Sequence, residues 1–542
     1  MSKNNIQVFY NSNRSGGILN MLINNNFFKY TPTNSNIKKN CGFKADSNGE
    51  YRDKTIYGND FHGHLKAFRQ FKTATDQFRA QNPNGDVILS GDDWVGAYEP
   101  KNKAIVRMMN LINPTAVALG NHNFDNKGSK GVSEMLDMAN YKTLAFNLQK
   151  KDDIKPESYA LQDDIESGKL ASSMIVEKNG QKIGYIGAVP HDLFNRISVQ
   201  SQEDAKDIKI LNIQETFKAL QNEVSKLEKQ GVKIIKLISH MGIDAERMIA
   251  QTISGIDVIL GGHSHDVIDG LTPGKNLFKS PKGELVIITQ AGKNGHKYGE
   301  LDVVFDSEGR IIKAKNELKN LEKLPESMSM KILEKMVLGA PKQIGTIAKD
   351  VKSKPESVLE ESPLSSFLSD AYLKYSDADI VLNNMGGIRG SLPAGPVTDR
   401  EIIDIMPFFN DVHEYKLSEK DIIDVLNNAI QATKTLHRTG AVQVAGMRYI
   451  IGKDDKVKEA TVYKKDGSIV RLDVNNPSND KFFNVAYNTY MGGNGEGLEI
   501  LNNPSKRIRK CDLTETHMFI EYIKSFDGKP IEIKEDGRIS HE

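Results

Sequence analysis

Short apolar runs rich in β-branched residues recur through the first half of the chain. They are Val87-Ile88-Leu89, Ala116-Val117-Ala118-Leu119, Ile183-Gly184-Tyr185-Ile186, Ile234-Ile235-Lys236-Leu237-Ile238 and Val258-Ile259-Leu260. Runs this short and continuous suit strands buried on both faces. Helical stretches separate them, clearest from Ile213 to Glu228, where Ile213, Phe217, Leu220, Val224 and Leu227 recur at helical spacing. Strands alternating with helices predict a layered α/β domain over residues 53–310, closed by strands at Leu285 to Thr289 and Leu301 to Phe305. Residues 311–340 are charged and helix-prone and read as a helical interdomain connector. A second domain, 341–542, is expected to hold a helix from Ser362 to Tyr375, a strand at Ile380-Val381-Leu382 and a helix capped by Ser418 with Asp421 three residues on. Strands around Val444 to Ile451, Ala460 to Tyr463 and Phe482 to Tyr487 complete it. Residues 1–52 are rich in Asn, Ser and Lys with weak periodicity and read as a partly disordered extension.

Composition narrows the classes of partner. With 72 basic and 71 acidic residues among 542, the net charge is +1, so nothing argues for a nucleic-acid polymer or an anionic membrane. Two cysteines, Cys41 and Cys511, allow one disulfide but no disulfide framework or thiolate metal site. No stretch is long and apolar enough to span a bilayer, and Met1 to Phe27 lacks the continuous apolar segment of a signal peptide. Conventional secretion is therefore not expected; compartment and oligomeric state stay open.

The chemistry sits just beyond the apolar runs. Polar clusters follow the expected strands: Asp60-Phe61-His62, Gly91-Asp92-Asp93, Gly120-Asn121-His122-Asn123-Phe124-Asp125, Ser239-His240 and Gly262-His263-Ser264-His265. In open α/β sheets, ligands bind beyond the carboxyl ends of the strands, so Asp92, Asn121, His240 and His263 would share one edge. Alternation places Asp60 and His62 on the same side of an extended segment. Imidazole mixed with carboxylate suits Zn, Mn or Fe better than Mg or Ca. A carboxylate such as Asp92 can bridge two cations about 3.5–4 Å apart, the spacing used for displacement at phosphorus. Singly, each cluster is an ordinary polar turn; the ordered set points to a metal-dependent reaction.

These clusters, with Asn59 and His64 flanking the first and Gly261 the last, resemble the signature of calcineurin-like metallophosphoesterases. They are most similar to the two-domain 5′-nucleotidases, a group that includes UDP-sugar hydrolases and cyclic-nucleotide phosphodiesterases. The resemblance spans about residues 55–505. It implies a four-layer α/β/β/α metallophosphoesterase domain followed by a separate α+β nucleotide-binding domain. It also implies two divalent metal ions (Zn, Mn or similar), one held by Asp60, His62, Asp92 and His265, the other by Asp92, Asn121, His240 and His263. His122 matches the family histidine that acts on the transferring phosphoryl or leaving group, with Asp125 orienting it. Asn123 stands where the family has Glu.

In the second domain, Asn383-Asn384-Met385-Gly386-Gly387-Ile388-Arg389 is similar to the family's nucleotide-binding segment, which places Asn384 and Gly387 near the nucleoside and Arg389 on phosphate. Pro407-Phe408-Phe409-Asn410 resembles Pro-Phe-Gly-Asn, making Phe408 one wall of a base clamp; Tyr490, ahead of Gly492-Gly493-Asn494-Gly495, is expected to be the other. Two departures stand out: Phe409 replaces a Gly, and no Arg precedes Glu361, where Val358, Leu359 and Glu360 stand; Lys352 or Lys354 is the possible replacement. The expected function is hydrolysis of nucleoside 5′-monophosphates by water activated at the two cations. The alternatives are a 2′,3′-cyclic-nucleotide phosphodiesterase/3′-nucleotidase, a UDP-sugar hydrolase, or a nucleotide-binding protein with a vestigial metal site. The expected partner is a nucleotide small-molecule substrate.

Overall fold

The structure, a computed structural model, describes residues 50–178, 180–353, 358–436, 442–492 and 498–542. The extension up to residue 49, with Cys41, lies outside the described residues, as do Lys354 and Gly493-Asn494-Gly495. The chain forms two compact units. The first runs to Leu338; the second is Gly339–Glu542 together with Gly96–Tyr98 and Phe194–Glu203.

The strands of the two main sheets in the first unit are β1 Tyr51–Gly58, β2 Asp86–Ser90, β3 Ala116–Ala118, β4 Thr143–Leu144, β5 Leu170–Ala171, β6 Ser173–Lys178 and β7 Gln181–Ala188. They continue with β8 Ile234–Ser239, β9 Val258–Leu260, β10 Leu277–Lys279, β11 Leu285–Thr289, β12 Lys297–Phe305 and β13 Ile311–Asn320. One sheet has the order β13-β12-β1-β2-β3-β4-β5 and the other β10-β11-β9-β8-β7-β6. The inner strands β1 to β5 of the first, and β7, β8, β9 and β11 of the second, are parallel neighbours.

Period-two alternation explains the layering. In β8, Ile234 and Ile238 point into the core shared by the two sheets, with Tyr57, Ile88, Ala116 and Val303. Ile235 and Leu237 point the other way, onto helices α3 (Ile213–Glu228) and α4 (Ile243–Thr252), through Leu220, Val224, Leu227 and Ile249. Each such fully buried side chain contributes about 1.5–3 kcal/mol. Helix α3 starts where the sequence predicts, because Asn212 Oδ1 accepts from the Gln214 and Glu215 amides (both 3.0 Å) while Glu215 reaches back to Asn212 N (3.0 Å). Helices α1 (Leu65–Gln81) and α2 (Glu99–Ile112) bury Phe68, Phe71, Ile105 and Met108 over the first sheet, completing the α/β/β/α stack.

Two boundaries differ from expectation. Strand β1 begins at Tyr51, inside the expected extension, because Tyr51 and Arg52 pair with Phe305 and Val304. The expected helical connector is partly strand: β13 pairs with β12 along its length, and helix is limited to a 3-10 turn at Leu321–Lys323 and to α5, Met328–Leu338. Its Lys and Glu content reads as helix-forming, but hairpin pairing wins, with Ile311, Ala314 and Asn316 buried and Ile312, Lys313 and Lys315 exposed. Helix α5 is tied to α1 by Arg69, which bonds Glu326 and Glu334.

The second unit is built on a five-stranded sheet of β14 (Ile380–Asn383), β15 (Asp411–Ser418), β16 (Gln443–Ala445), β17 (Phe482–Asn488) and β18 (Arg507–Thr514), in the order β16-β14-β17-β15-β18. One face packs on α6 (Pro363–Tyr375) and α8 (Glu515–Lys524) through Leu368, Val381, Phe519 and Ile523. The other packs on α7 (Glu419–Leu436) through Ile380, Leu382, Ile422 and Leu426. The caps are as expected: Ser418 N and Oγ both donate to Asp421 Oδ2 at 2.8 Å, and Ser418 Oγ accepts from Asp421 N at 3.1 Å. Among the described residues, no helix is long and apolar enough to cross a membrane.

One inward position of β8 is not apolar. Fully buried Lys236 donates to Asp53 Oδ2 (2.5 Å) and Thr55 Oγ1 (2.9 Å) on β1 and to Asp86 Oδ2 (2.7 Å) on β2, while Tyr185 and Lys178 also bond Asp86. The cluster stitches the two sheets together. Burial alone would push the Asp86 carboxyl up, but Lys178 and Lys236 outweigh it and hold it below the usual carboxylate range. Replacing Lys236 with Met takes the cation from buried Asp53 and leaves Asp86 to Lys178 and Tyr185; it should cost about 3–5 kcal/mol, seen as an earlier urea transition. The triple change Asp53→Asn, Asp86→Asn, Lys236→Met should recover most of that loss. Because the folded Asp86 value is depressed, its contribution is full above the ordinary carboxylate range, about pH 4, and is lost as pH falls below it.

Candidate metal centre

The carboxyl ends of β1, β2, β3, β8 and β9 deliver the predicted polar clusters to one place. Ser90, ending β2, donates from Oγ to Leu260 O of β9 (2.9 Å) and accepts from His240 Nδ1 beyond β8 (2.6 Å), which joins the two sheet edges. The loops after β1 and β2 are zipped by Asp60 N to Gly91 O (3.1 Å), His62 N to Asp92 O (2.8 Å) and Gly63 N to Asp93 O (2.8 Å).

Aiming the side chains requires backbone that L-residues avoid. Asp60 (φ 54°), His62 (48°), Asp92 (53°), His263 (75°) and His265 (62°) all lie in the left-handed region. Such residues cost about 1–3 kcal/mol each and persist only where the surroundings over-determine them. The glycines beside them permit close approach: a Cβ on Gly91 would lie 2.6 Å from His240 Nδ1, and one on Gly120 would lie 2.1 Å from Asp92 Oδ1.

All nine residues expected in this centre come together. His62 Nε2 is 3.6 Å from both Asp60 Oδ1 and Asp92 Oδ2. His240 Nε2 is 3.1 Å from Asp92 Oδ2 and 3.6 Å from Asp60 Oδ1, and His265 Nε2 is 3.3 Å from Asp60 Oδ1. His263 Nδ1 lies 3.0 Å from Asn121 Oδ1, and the His240 and His263 rings meet at 5.2 Å. His122 Nδ1 is bonded to Asp125 Oδ2 at 2.8 Å, and His122 N donates to Asp92 Oδ1 at 2.8 Å. Asn123, in place of the family's Glu, accepts from Gly120 N at 2.7 Å and so closes the turn that carries His122.

Asp60 Oδ1, His62 Nε2 and His240 Nε2 are buried and have no hydrogen-bond partner among the described residues. Buried polar atoms are rarely left so. A divalent cation accepts lone pairs from these atom types, so the donor set fits one. Three overlapping groups have ligand atoms within 4.8 Å of one another: Asp60, His62 and His265; Asp60, Asp92 and His240; His62, Asp92 and His122. The ring orientation agrees: the Ser90 carbonyl can only accept, so His240 Nδ1 donates to it and Nε2 is the nitrogen turned toward the carboxylates, where it could serve a cation. Burial opposes ionisation of Asp92, but His240 and His122 outweigh it and hold the carboxyl well below its ordinary range.

Several supporting residues went unread in the sequence. Asn294 (φ 57°) lies with Oδ1 2.9 Å from His62 Nδ1 and donates its amide to Asp60 O at 2.7 Å. Asn59 Nδ2 donates to Asp60 Oδ2 and to Gly292 O, both at 2.7 Å. Gln290 Nε2 donates to Glu246 Oε2 and to Gly262 O, both at 3.0 Å, beneath the loop carrying His263 and His265. Asn59 flanks the first cluster without being read as its support, whereas Asn294, Gln290 and Glu246 stand at no motif spacing that would mark them.

In the second unit, Arg389 lies over the Phe408 ring at 4.9 Å. Asn384, buried, accepts from Asn488 Nδ2 at 3.1 Å. Asn488 Oδ1 accepts from Met491 N at 3.0 Å, closing the turn that carries Tyr490. Gly387 is buried, yet a Cβ there would meet no atom within 4 Å among the described residues. Glu361 receives the Gly537 and Arg538 amides at 2.9 and 2.8 Å, and its carboxylate anchors the C-terminal segment.

Comparison with known proteins agrees with this geometry. Residues 58–267 match the calcineurin-like phosphoesterase family and residues 343–503 the 5′-nucleotidase C-terminal domain. A trifunctional nucleotide phosphoesterase of Bacillus subtilis is 26% identical, over 89% of this chain but only 34% of that longer protein. A probable 5′-nucleotidase of Treponema pallidum is 26% identical over 84% of this chain and 89% of its own. The structure of a 5′-nucleotidase precursor from Thermus thermophilus superposes with a TM-score of 0.72 at 25% identity, covering 91% of this chain and 99% of that one. The chain therefore belongs to the family of hydrolases that join a calcineurin-like metallophosphoesterase domain to a 5′-nucleotidase C-terminal domain.

Proposed function

We propose that this protein hydrolyses phosphate esters of nucleotides, nucleoside 5′-monophosphates foremost, with the chemistry in the first unit and nucleoside recognition in the second. The observation that carries the reading is the convergence of seven candidate ligands around Asp60 Oδ1, His62 Nε2 and His240 Nε2, buried atoms with no hydrogen-bond partner among the described residues, beside a bonded His122–Asp125 pair. Asp60, His62, Asp92 and His265 would hold one divalent ion, and Asp92, Asn121, His240 and His263 a second, Zn or Mn suiting the mixed donors. Bound there, such ions supply positive charge to the phosphoryl oxygens and acidify water.

The residues then divide the remaining work. Asn294 and the Ser90 carbonyl orient the rings of His62 and His240. Asp125 accepts from His122 Nδ1 and fixes the ring, which leaves Nε2 to donate to the phosphoryl or leaving oxygen. Arg389 grips phosphate in the second unit, while Phe408 and Tyr490 flank a planar base and Asn384 and Gly387 lie beside the nucleoside.

One observation favours a second reading, cleavage of a 2′,3′-cyclic nucleotide or a UDP-sugar. No Arg precedes Glu361, and the Glu361 carboxylate is occupied by backbone amides. A phosphate grip resting on Arg389 discriminates less strongly for a terminal, doubly charged phosphate.

Phosphate release from nucleoside mono- and diphosphates, UDP-glucose and cyclic nucleotides, with Mn, Zn or Co added, separates the readings. Chelation should abolish turnover and metal should restore it. Asp92→Asn, which tolerates the left-handed backbone, should be inactive in the same assay; wild-type turnover from it would sink the assignment. His122→Ala should lower kcat by about 10²–10⁴. Asn294→Gly keeps the backbone geometry but removes the bond to His62, and metal titration should show affinity weakened about 10–100-fold.

A further inference from the structure

Beyond the residues matched by motif, the second unit contains one buried carboxylate on which its nucleoside-binding segments converge. Glu515, the first residue of α8, is 1% exposed. Its Oε1 accepts from Asn410 Nδ2 (2.7 Å) and Asn410 N (3.3 Å), and its own amide donates to Asn410 O (3.0 Å). Its Oε2 accepts from the Tyr372 hydroxyl (2.7 Å) and from Asn488 Nδ2 (3.0 Å), and Asn488 Nδ2 also reaches Asn384 Oδ1 (3.1 Å). Asn410 lies two residues after Phe408, and Asn488 two before Tyr490. One carboxylate thus ties together both proposed walls of the base clamp and the asparagine between them.

The geometry shows why such an anchor is needed. Phe409, between Phe408 and Asn410, has φ 55°, a conformation rarely adopted by a bulky aromatic side chain. Where glycine would adopt it without strain, phenylalanine needs a surrounding that enforces it. The three Asn410–Glu515 hydrogen bonds lock the residue that follows, and the Phe409 ring packs edge-on against His517 of α8 at 5.3 Å. On the other wall, Asn488 directs its amide to Glu515 and its oxygen to Met491 N, holding the turn around Tyr490.

We infer that Glu515 is a positioning residue for nucleoside recognition: by holding Asn410 and Asn488 at once, it sets the placement of Phe408 against Tyr490 and of Asn384 beside them. The inference rests on the nucleotide reading above and adds a residue that touches neither phosphate nor metal ligand. Losing the carboxylate should loosen binding of the base and leave the chemical step alone.

The test uses the metal-loaded full chain, with AMP as substrate and adenosine as a ligand that is not hydrolysed. Glu515→Gln keeps the shape but exchanges an acceptor for a donor facing Asn410 or Asn488. It should raise KM for AMP and Kd for adenosine about tenfold or more, with kcat within about twofold of wild type. Asn410→Ala should shift both in the same direction, and it carries the test if Glu515→Gln does not fold. Folded variants that bind adenosine like wild type, or that lose kcat as much as they gain KM, overturn the inference. A wild-type protein that binds neither adenosine nor uridine while still hydrolysing a phosphoester overturns the nucleotide reading itself, and Glu515's role with it.

Discussion

Left-handed backbone at strand ends is the constraint on which the metal centre depends. Asp60, His62, Asp92, His263 and His265 all adopt it, and none is glycine. At about 1–3 kcal/mol each, this is a large share of a typical folding free energy concentrated in one place. The parallel inner strands, the zipped loops after β1 and β2, and the close glycines at 91 and 120 together enforce it. What the strain secures is convergence: side chains from five strand ends reach a volume in which three buried side-chain atoms have no hydrogen-bond partner among the described residues. A cation offsets both the strain and the desolvation of those atoms, so metal binding and loop geometry should be thermodynamically linked.

The sheets bear that load from the other side. Lys236 occupies an inward position of β8 that alternation reserves for the core, and it draws Asp53, Thr55 and Asp86 of the first sheet onto the second. A buried ion pair is a poor source of net stability but a strong selector of arrangement, because any slip in register would leave charges unpaired in the interior. The cluster pins the two sheets against each other, and the edges that carry the ligands are the far ends of the same strands. A register slip of two residues in β8 would move His240 by a whole side-chain repeat and take it out of reach of Asp92.

What was legible in the sequence follows from what each signal encodes. Continuous apolar runs identified β2, β3, β7, β8 and β9 because strands buried on both faces are built mainly from apolar residues. The strand-end clusters marked all nine residues of the centre because imidazole and carboxylate have a narrow set of uses at a sheet edge. Strand β13 was read as part of a helical connector because Lys, Glu and Leu favour helix locally, whereas its pairing with β12 is a tertiary fact. Asn294, Gln290 and Glu515 were silent for a related reason. Each acts through hydrogen-bond partners distant in sequence, and neither spacing nor composition records that. Lys236 stood in plain view inside an apolar run, but its partners Asp53 and Asp86 lie 183 and 150 residues away.

The two units carry different kinds of order, and this bears on substrate choice. In the first, the candidate ligand set is built from charged and metal-seeking groups whose placement is enforced by strand ends, loop hydrogen bonds and close glycines. In the second, the expected contacts are aromatic faces, a cation over a ring and neutral amides, each worth little alone and dependent on placement. Here the chain departs from its family, with Phe409 in place of glycine and no Arg before Glu361. On the proposed nucleotide reading, Phe409 would stiffen the loop carrying Phe408 and make its position depend on the Asn410–Glu515 bonds, while the missing Arg would weaken the demand for a terminal phosphate. A rigid base site with a relaxed phosphate site favours selection by nucleoside over selection by phosphate position. Substrates sharing one base but differing in how phosphate is attached should therefore resemble one another more than monophosphates of different bases do.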